Sequence, residues 1–154
     1  MTLESIKAIA TSLLIWISTN TEYKLSPEIP EIQILSEREV QKMVCGKREP
    51  CPAYAWIPEK ADKIYLSDTL KIKEDICDRS ILLQELIHFA QRKTNKFHDS
   101  SWEEKRHLME MDAIIIQNIY LSQHGRKLLY KNGYAVRDFL NPTADLKNQP
   151  YQRA

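Results

Sequence analysis

Residues 82–91 read LLQELIHFAQ. Between Ile81 and Ala90 only Gln84, Glu85 and His88 are polar. Apolar residues lie all round the rest of the cylinder, so the spacing predicts a helix enclosed in the interior. Gln84 and His88 are one turn apart on one face, with Gln91 a further turn along and Glu85 beside them. A carboxylate and an imidazole carried inward without partners would cost several kcal/mol. The rest of the chain must therefore supply both a cover for this helix and partners for its polar face.

Those partners come from a second helix downstream. After the polar loop KTNKFHDS, Ser101 with Glu104 forms a capping box, and the helix it starts runs through WEEKRHLMEMDAIIIQNIYLSQH to Gly125, which suits a helix end. His107 and Glu110 are one turn apart on it and face the same way. Upstream, Asp78 is placed to cap the buried helix. AYAWI (Ala53 to Ile57) and KIYLS (Lys63 to Ser67) form a hairpin over a five-residue connection containing Pro58.

The flanks complete the architecture. Leu3, Ile6, Ile9, Leu13, Trp16 and Ile17 mark a helix over Leu3 to Thr19. Pro27 and Pro30 stop it, a strand covers Ile32 to Leu35, and the Ser36/Glu39 capping box starts a short helix reaching about Val44. From Arg126 the stretch KLLYKNGYAVRDFL reads as helix interrupted by Gly133. The reading is an α+β, mainly helical single domain over residues 1–140, with a poorly ordered tail over 141–154. Its small three-stranded sheet packs on the E-x-x-H helix.

Bulk properties exclude some roles. Lys plus Arg number 22 against 21 Asp plus Glu in 154 residues, and the hydrophobic fraction of 43% is enough for one core. Balanced charge gives no footprint for nucleic acid. The six basic and two acidic residues from Gly125 onward are scattered and read as solvated surface. The longest apolar run, Leu13 to Ile17, is far short of a membrane span. Ala8 to Ile17 reads as an amphipathic helix and not a secretory leader. The compartment stays open: secreted or periplasmic if a leader has been removed, otherwise cytoplasmic. Of the three cysteines, Cys45 and Cys51 bracket a short loop that a disulfide could close, reduced thiols being the alternative, and Cys77 stands apart.

The chemistry of the opening stretch lies in its relation to H-E-x-x-H, where two histidines a turn apart grip a metal and the glutamate activates water. The chain resembles the gluzincin metallopeptidases, and within them a family of small bacterial zincin-like proteins. The resemblance is carried by IYL in the strand before the helix and by LLQELIHFAQ, where the family tends to read L-V-H-E-x-V-H-x-x-Q. EMDAIIIQNIYL, similar to an E-x-E-A and Q-N-x-Y-L run, and the Trp-containing first helix leading into Pro-x-x-Pro complete it. It covers about residues 1 to 124.

The resemblance implies a minimal zincin-like core, zinc as cofactor and a peptide or protein as substrate or partner. It assigns Glu85 as general base, His88 as second zinc ligand and Glu110 as third, followed by Asp112 and Ala113. Gln84 stands at the first ligand position, and its neutral oxygen is a poor zinc donor, so impaired zinc binding is expected. His107 is a candidate substitute ligand. The strand Ala53 to Trp56 would form the cleft rim and take an extended peptide by strand addition, with Ala53, Tyr54 and Ala55 as binding residues. A plain core hairpin is the alternative. Tyr120, Tyr134, His98 and His107 are all candidates to stabilise an oxyanion.

Two functions of different class follow. If a metal is held, Glu85 would take a proton from the water that attacks a peptide carbonyl. If not, Gln84, His88 and Glu110 would satisfy one another by hydrogen bonds, and the scaffold would act as a peptide- or protein-binding module.

Overall fold

Thr2, whose side chain accepts the amide of Ser5 at 3.1 Å, starts the first helix, α1, over Leu3–Asn20. This is the computed structural model, which describes residues 2–46, 53–125, 130–131 and 134–135. The side of α1 bearing Ala10, Leu13, Leu14 and Ile17 is buried, in accord with its apolar spacing. Strand β1, Glu31–Leu35, follows the prolines. The Ser36/Glu39 capping box is complete and opens α2, Glu37–Cys45.

The sheet has the order β1-β3-β2, with β2 at Ala55–Trp56 and β3 at Lys63–Ser67. β1 runs parallel to β3, while β2 pairs antiparallel with it, Ala55 opposite Leu66 and Trp56 opposite Tyr65. The hairpin is thus present, though its first strand is only two residues long. Ile64 and Leu66 turn into the core on either side of the half-buried Tyr65, and Ser67 at the strand's end is buried as well.

Helix α3, Ile76–Thr94, carries the E-x-x-H stretch and packs against α1, β2 and α4. Leu82, Leu83, Leu86 and Ile87 are fully enclosed, each contributing about 1.5–3 kcal/mol by burial. The cap is Asp75 and not Asp78. Asp75 immediately precedes the first helical residue, where its short side chain reaches the amides of Cys77 (2.8 Å) and Asp78 (3.3 Å). Asp78 lies inside the first turn, buried, and accepts the amide of Lys71 at 2.9 Å. Asn95 ends α3 in the left-handed conformation, φ +52°.

Helix α4, Trp102–Gln123, starts at Ser101, which accepts the amide of Glu104 at 3.4 Å, and stops before Gly125, φ +67°. The whole is a mainly helical α+β fold with a small three-stranded sheet, as the sequence predicts. The helix expected after Arg126 is corrected where residues are described: Tyr130–Lys131 (β4) and Tyr134–Ala135 (β5) pair antiparallel. The physical reason lies in the Asn132-Gly133 dipeptide between them, the strongest short hairpin signal in a sequence. The tail over 141–154 lies outside the described residues, as does Cys51. Cys45 is disulfide-bonded, and Cys77 is in no disulfide. No helix among the described residues is long and apolar enough to cross a membrane.

Candidate functional site

The packing of α4 on α3 brings Glu110 to His88. The imidazole Nε2 lies 3.1 Å from Glu110 Oε1, with the two side chains 12% and 37% exposed, so the pair sits at the mouth of the interior. On the other side of the ring, Nδ1 lies 2.9 Å from Gln91 Oε1. Gln91 is buried, and its Nε2 donates to Met109 O and to Asp112 Oδ2, each at 2.9 Å. Those two acceptors fix which way the amide points. Its oxygen therefore faces the ring, and Nδ1 must carry a proton.

Asp112 extends the network away from the site. It accepts the Tyr23 hydroxyl at 2.5 Å and pairs with Lys96 at 3.3 Å. Lys96 also pairs with Glu22 and lies over the Tyr23 ring. Burial and the bond to Asp112 hold the Tyr23 hydroxyl far above its ordinary range, so it stays a donor. A continuous path of hydrogen bonds thus runs from α1's far end through α4 to His88.

Glu85 lies on the β2 side of the same helix. Burial pushes its carboxyl up to about 7, the Glu110 charge adding to this while His88, the Ile57 amide and Arg92 oppose it. The hydrogen bond from Ile57 N–H ties the end of β2 to α3. Arg92 does the same one turn on, donating to Pro58 O and, at 3.0 Å, to Ala61 O. His88 is also shifted: burial disfavours the imidazolium, but the bond to Glu110, the charges of Glu85 and Glu110 and the bond to Gln91 outweigh it and lift the ring to about 9. At neutral pH His88 is therefore a cation donating from both nitrogens, to Gln91 and to Glu110.

Gln84 does not join this network. It is 5% exposed, and its carboxamide forms no hydrogen bond with another described residue. The side-chain atoms both sealed from solvent and without a partner, among the described residues, are Arg92 Nε and Gln117 Oε1. The Gln84 amide therefore still reaches solvent, on the face of α3 that His88 shares one turn later. The mutual bonding of Gln84, His88 and Glu110 expected for a metal-free site is found for His88 and Glu110 and not for Gln84.

The other candidates are placed as follows. Ala53 is buried and Tyr54, Ala55 and Trp56 are half-buried. β2 is an outer strand of the sheet, and Trp56 stacks on Tyr65 at 6.1 Å between ring centres. His107 is exposed. His98 pairs locally with Asn95 O and Asp99. Tyr120 packs edge-on against Trp16 at 5.1 Å. The side chain of Tyr134 lies outside the described residues.

The zinc implied by the sequence resemblance can be tested against these donors. The motif supplies one imidazole, one carboxylate and one neutral amide. A catalytic zinc takes three good protein donors, with the imidazole neutral at the coordinating nitrogen. Here the one imidazole nitrogen that could coordinate lies 3.1 Å from the one carboxylate. Among the described residues no group of three or more His, Cys, Asp or Glu is arranged to hold a metal ion. The donor set does not fit a resident catalytic zinc. The sequence-based expectations had the principal side chains but not Tyr23 or Lys96, which reach the network through Asp112. Tyr23 lies 89 positions from Asp112 in sequence and carries no local signal.

In comparison with known proteins, residues 2–130 match the model of a family described as Domain of unknown function (DUF6647). No curated protein and no solved structure matches the chain.

Proposed function

The chain belongs to the DUF6647 family, and from that premise and the geometry of the site we propose that it is a zincin-like domain whose cleft binds extended peptide without a resident zinc. The observation that carries this is the 3.1 Å pairing of His88 Nε2 with Glu110, beside a glutamine where the first metal ligand would stand. The groups that would otherwise coordinate metal neutralise each other. The short outer strand β2, tied to α3 through the Ile57 amide and Glu85, supplies the rim to which an extended chain adds. Ala53, Tyr54 and Ala55 line that rim, and bound chain is held uncut.

The competing reading, a zinc-dependent peptidase with Glu85 as general base, draws on the carboxyl raised to about 7 beside His88 and Glu110. Two measurements on the full chain separate them. Metal-stripped protein is titrated with zinc by calorimetry beside its Gln84→His variant, and pooled N-acetylated, C-amidated hexapeptides are captured with and without chelator. The expected result is zinc binding at least ~100-fold weaker than in the variant, with peptide capture indifferent to chelator. Tight equimolar zinc with chelator-sensitive peptide cleavage would replace this proposal by the peptidase.

A further inference from the structure

We infer that Gln84 is the residue that reads the main chain of the bound peptide, its carboxamide bonding one peptide unit of an extended ligand lying along β2. This rests on the peptide-binding reading above and goes further by naming the contact and the ligand feature it recognises. Gln84 is 95% buried by accessible area, yet its amide has no partner among the described residues. The polar side chains that follow it on α3 are committed: Glu85 to the Ile57 amide, His88 to Gln91 and Glu110, Gln91 to Met109 and Asp112.

A glutamine in this state makes, among the described residues, none of the hydrogen bonds that largely buried polar groups normally make, and its amide is left to the solvent side. The packing of the cleft therefore leaves its partner to be supplied from outside. A carboxamide offers two N–H donors and an oxygen acceptor in one plane. A peptide unit presents the complementary C=O and N–H, so one glutamine can satisfy both. A carboxylate ligand would match only the donors and leave the oxygen acceptor unmet. Sequence selectivity then falls to the side chains that flank the contact on β2, while Gln84 sets only the register.

The test uses the full chain and a hexapeptide selected from the N-acetylated, C-amidated pool, with affinity read by fluorescence polarisation in the presence of chelator. Gln84→Met keeps the length and removes all polar atoms; Gln84→Glu keeps acceptors and removes the donors. Both should bind the peptide about tenfold or more weakly, with Gln84→Met melting near the parent chain because no internal hydrogen bond is lost. A second arm replaces each peptide amide in turn by an ester, which removes the N–H and weakens the C=O acceptor. One position should lose affinity for the parent chain and lose almost nothing further for Gln84→Met.

Equal binding by Gln84→Met and the parent chain overturns the inference. So does an ester scan in which no position matters to the parent chain, an arm that needs no variant to fold. If the parent chain captures no peptide from the pool at all, the binding function fails, and this inference with it.

Discussion

Gln91 holds His88 by Nδ1 at 2.9 Å while donating its own amide to Met109 O and Asp112 Oδ2. Three residues from two helices are thereby locked by one buried side chain. Gln91→Leu leaves the ring N–H, the Met109 carbonyl and one Asp112 bond unsatisfied, and we expect it to cost about 2–3 kcal/mol. Gln91→Glu sets a second carboxylate against Asp112 and should cost more. Urea denaturation of the three proteins checks the order; a Gln91→Leu chain as stable as its parent would show that the network is not held through this amide.

The two shifted groups give stability a definite pH dependence. Glu85 is raised from its ordinary 4.5 to about 7, so the folded chain keeps a proton that the unfolded chain releases, and stability falls as pH rises through that window. His88 is raised from 6.5 to about 9, so its contribution is complete below 6.5 and is lost as pH rises through 9. Both slopes have the same sign. The unfolding free energy from urea melts should fall steadily from about pH 5 to 9, by several kcal/mol in all; Glu85→Gln should flatten the lower part most and, because the Glu85 charge also helps to hold the His88 proton, make the upper part shallower.

Gln117 tests the opposite case, a buried amide that is only half used. It is wholly enclosed, its Nε2 donating to Ser80 O at 2.9 Å and to Ser80 Oγ at 3.1 Å, and its Oε1 has no partner among the described residues. Gln117→Met loses those bonds but also removes the orphaned oxygen. The change should therefore stay within about 1 kcal/mol, far below that of Gln91→Leu. Thermal melts of the two variants side by side make the comparison.

Much of this arrangement is legible from local pattern. The mostly apolar run around Glu85 and His88 fixes a buried helix because few arrangements other than enclosure suit it. The Ser36 and Ser101 caps fix where helices begin, since short side chains reach only the nearest free amides. The pairing of His88 with Glu110 is legible as two faces needing each other. What local pattern misses is of two kinds. Asp75 outcompetes Asp78 as cap by a three-residue difference that periodicity does not resolve, and the Asn132-Gly133 turn signal prevails over the apolar spacing around it, which reads as helix. Tyr23 and Lys96 join Asp112 only through tertiary packing. Gln84 is the instructive case: the sequence shows a ligand replaced, whereas its lack of a partner is visible only once its neighbours are placed.

Glu110 is what keeps His88 charged, and this too is open to direct measurement. Burial alone pushes the ring below its ordinary value; the hydrogen bond and charge of Glu110, with the charge of Glu85 and the bond to Gln91, reverse that and carry it to about 9. Glu110→Gln keeps an acceptor at the same place but removes one of the two carboxylates. The His88 titration, followed by proton NMR, should then fall well below about 9. The direction is the decisive point: with Glu110 neutralised, burial, the largest single effect, is less strongly opposed. A His88 that still titrates near 9 in the Glu110→Gln chain would place the controlling charge at Glu85, and the pairing across α3 and α4 would lose its role in holding the site closed to metal.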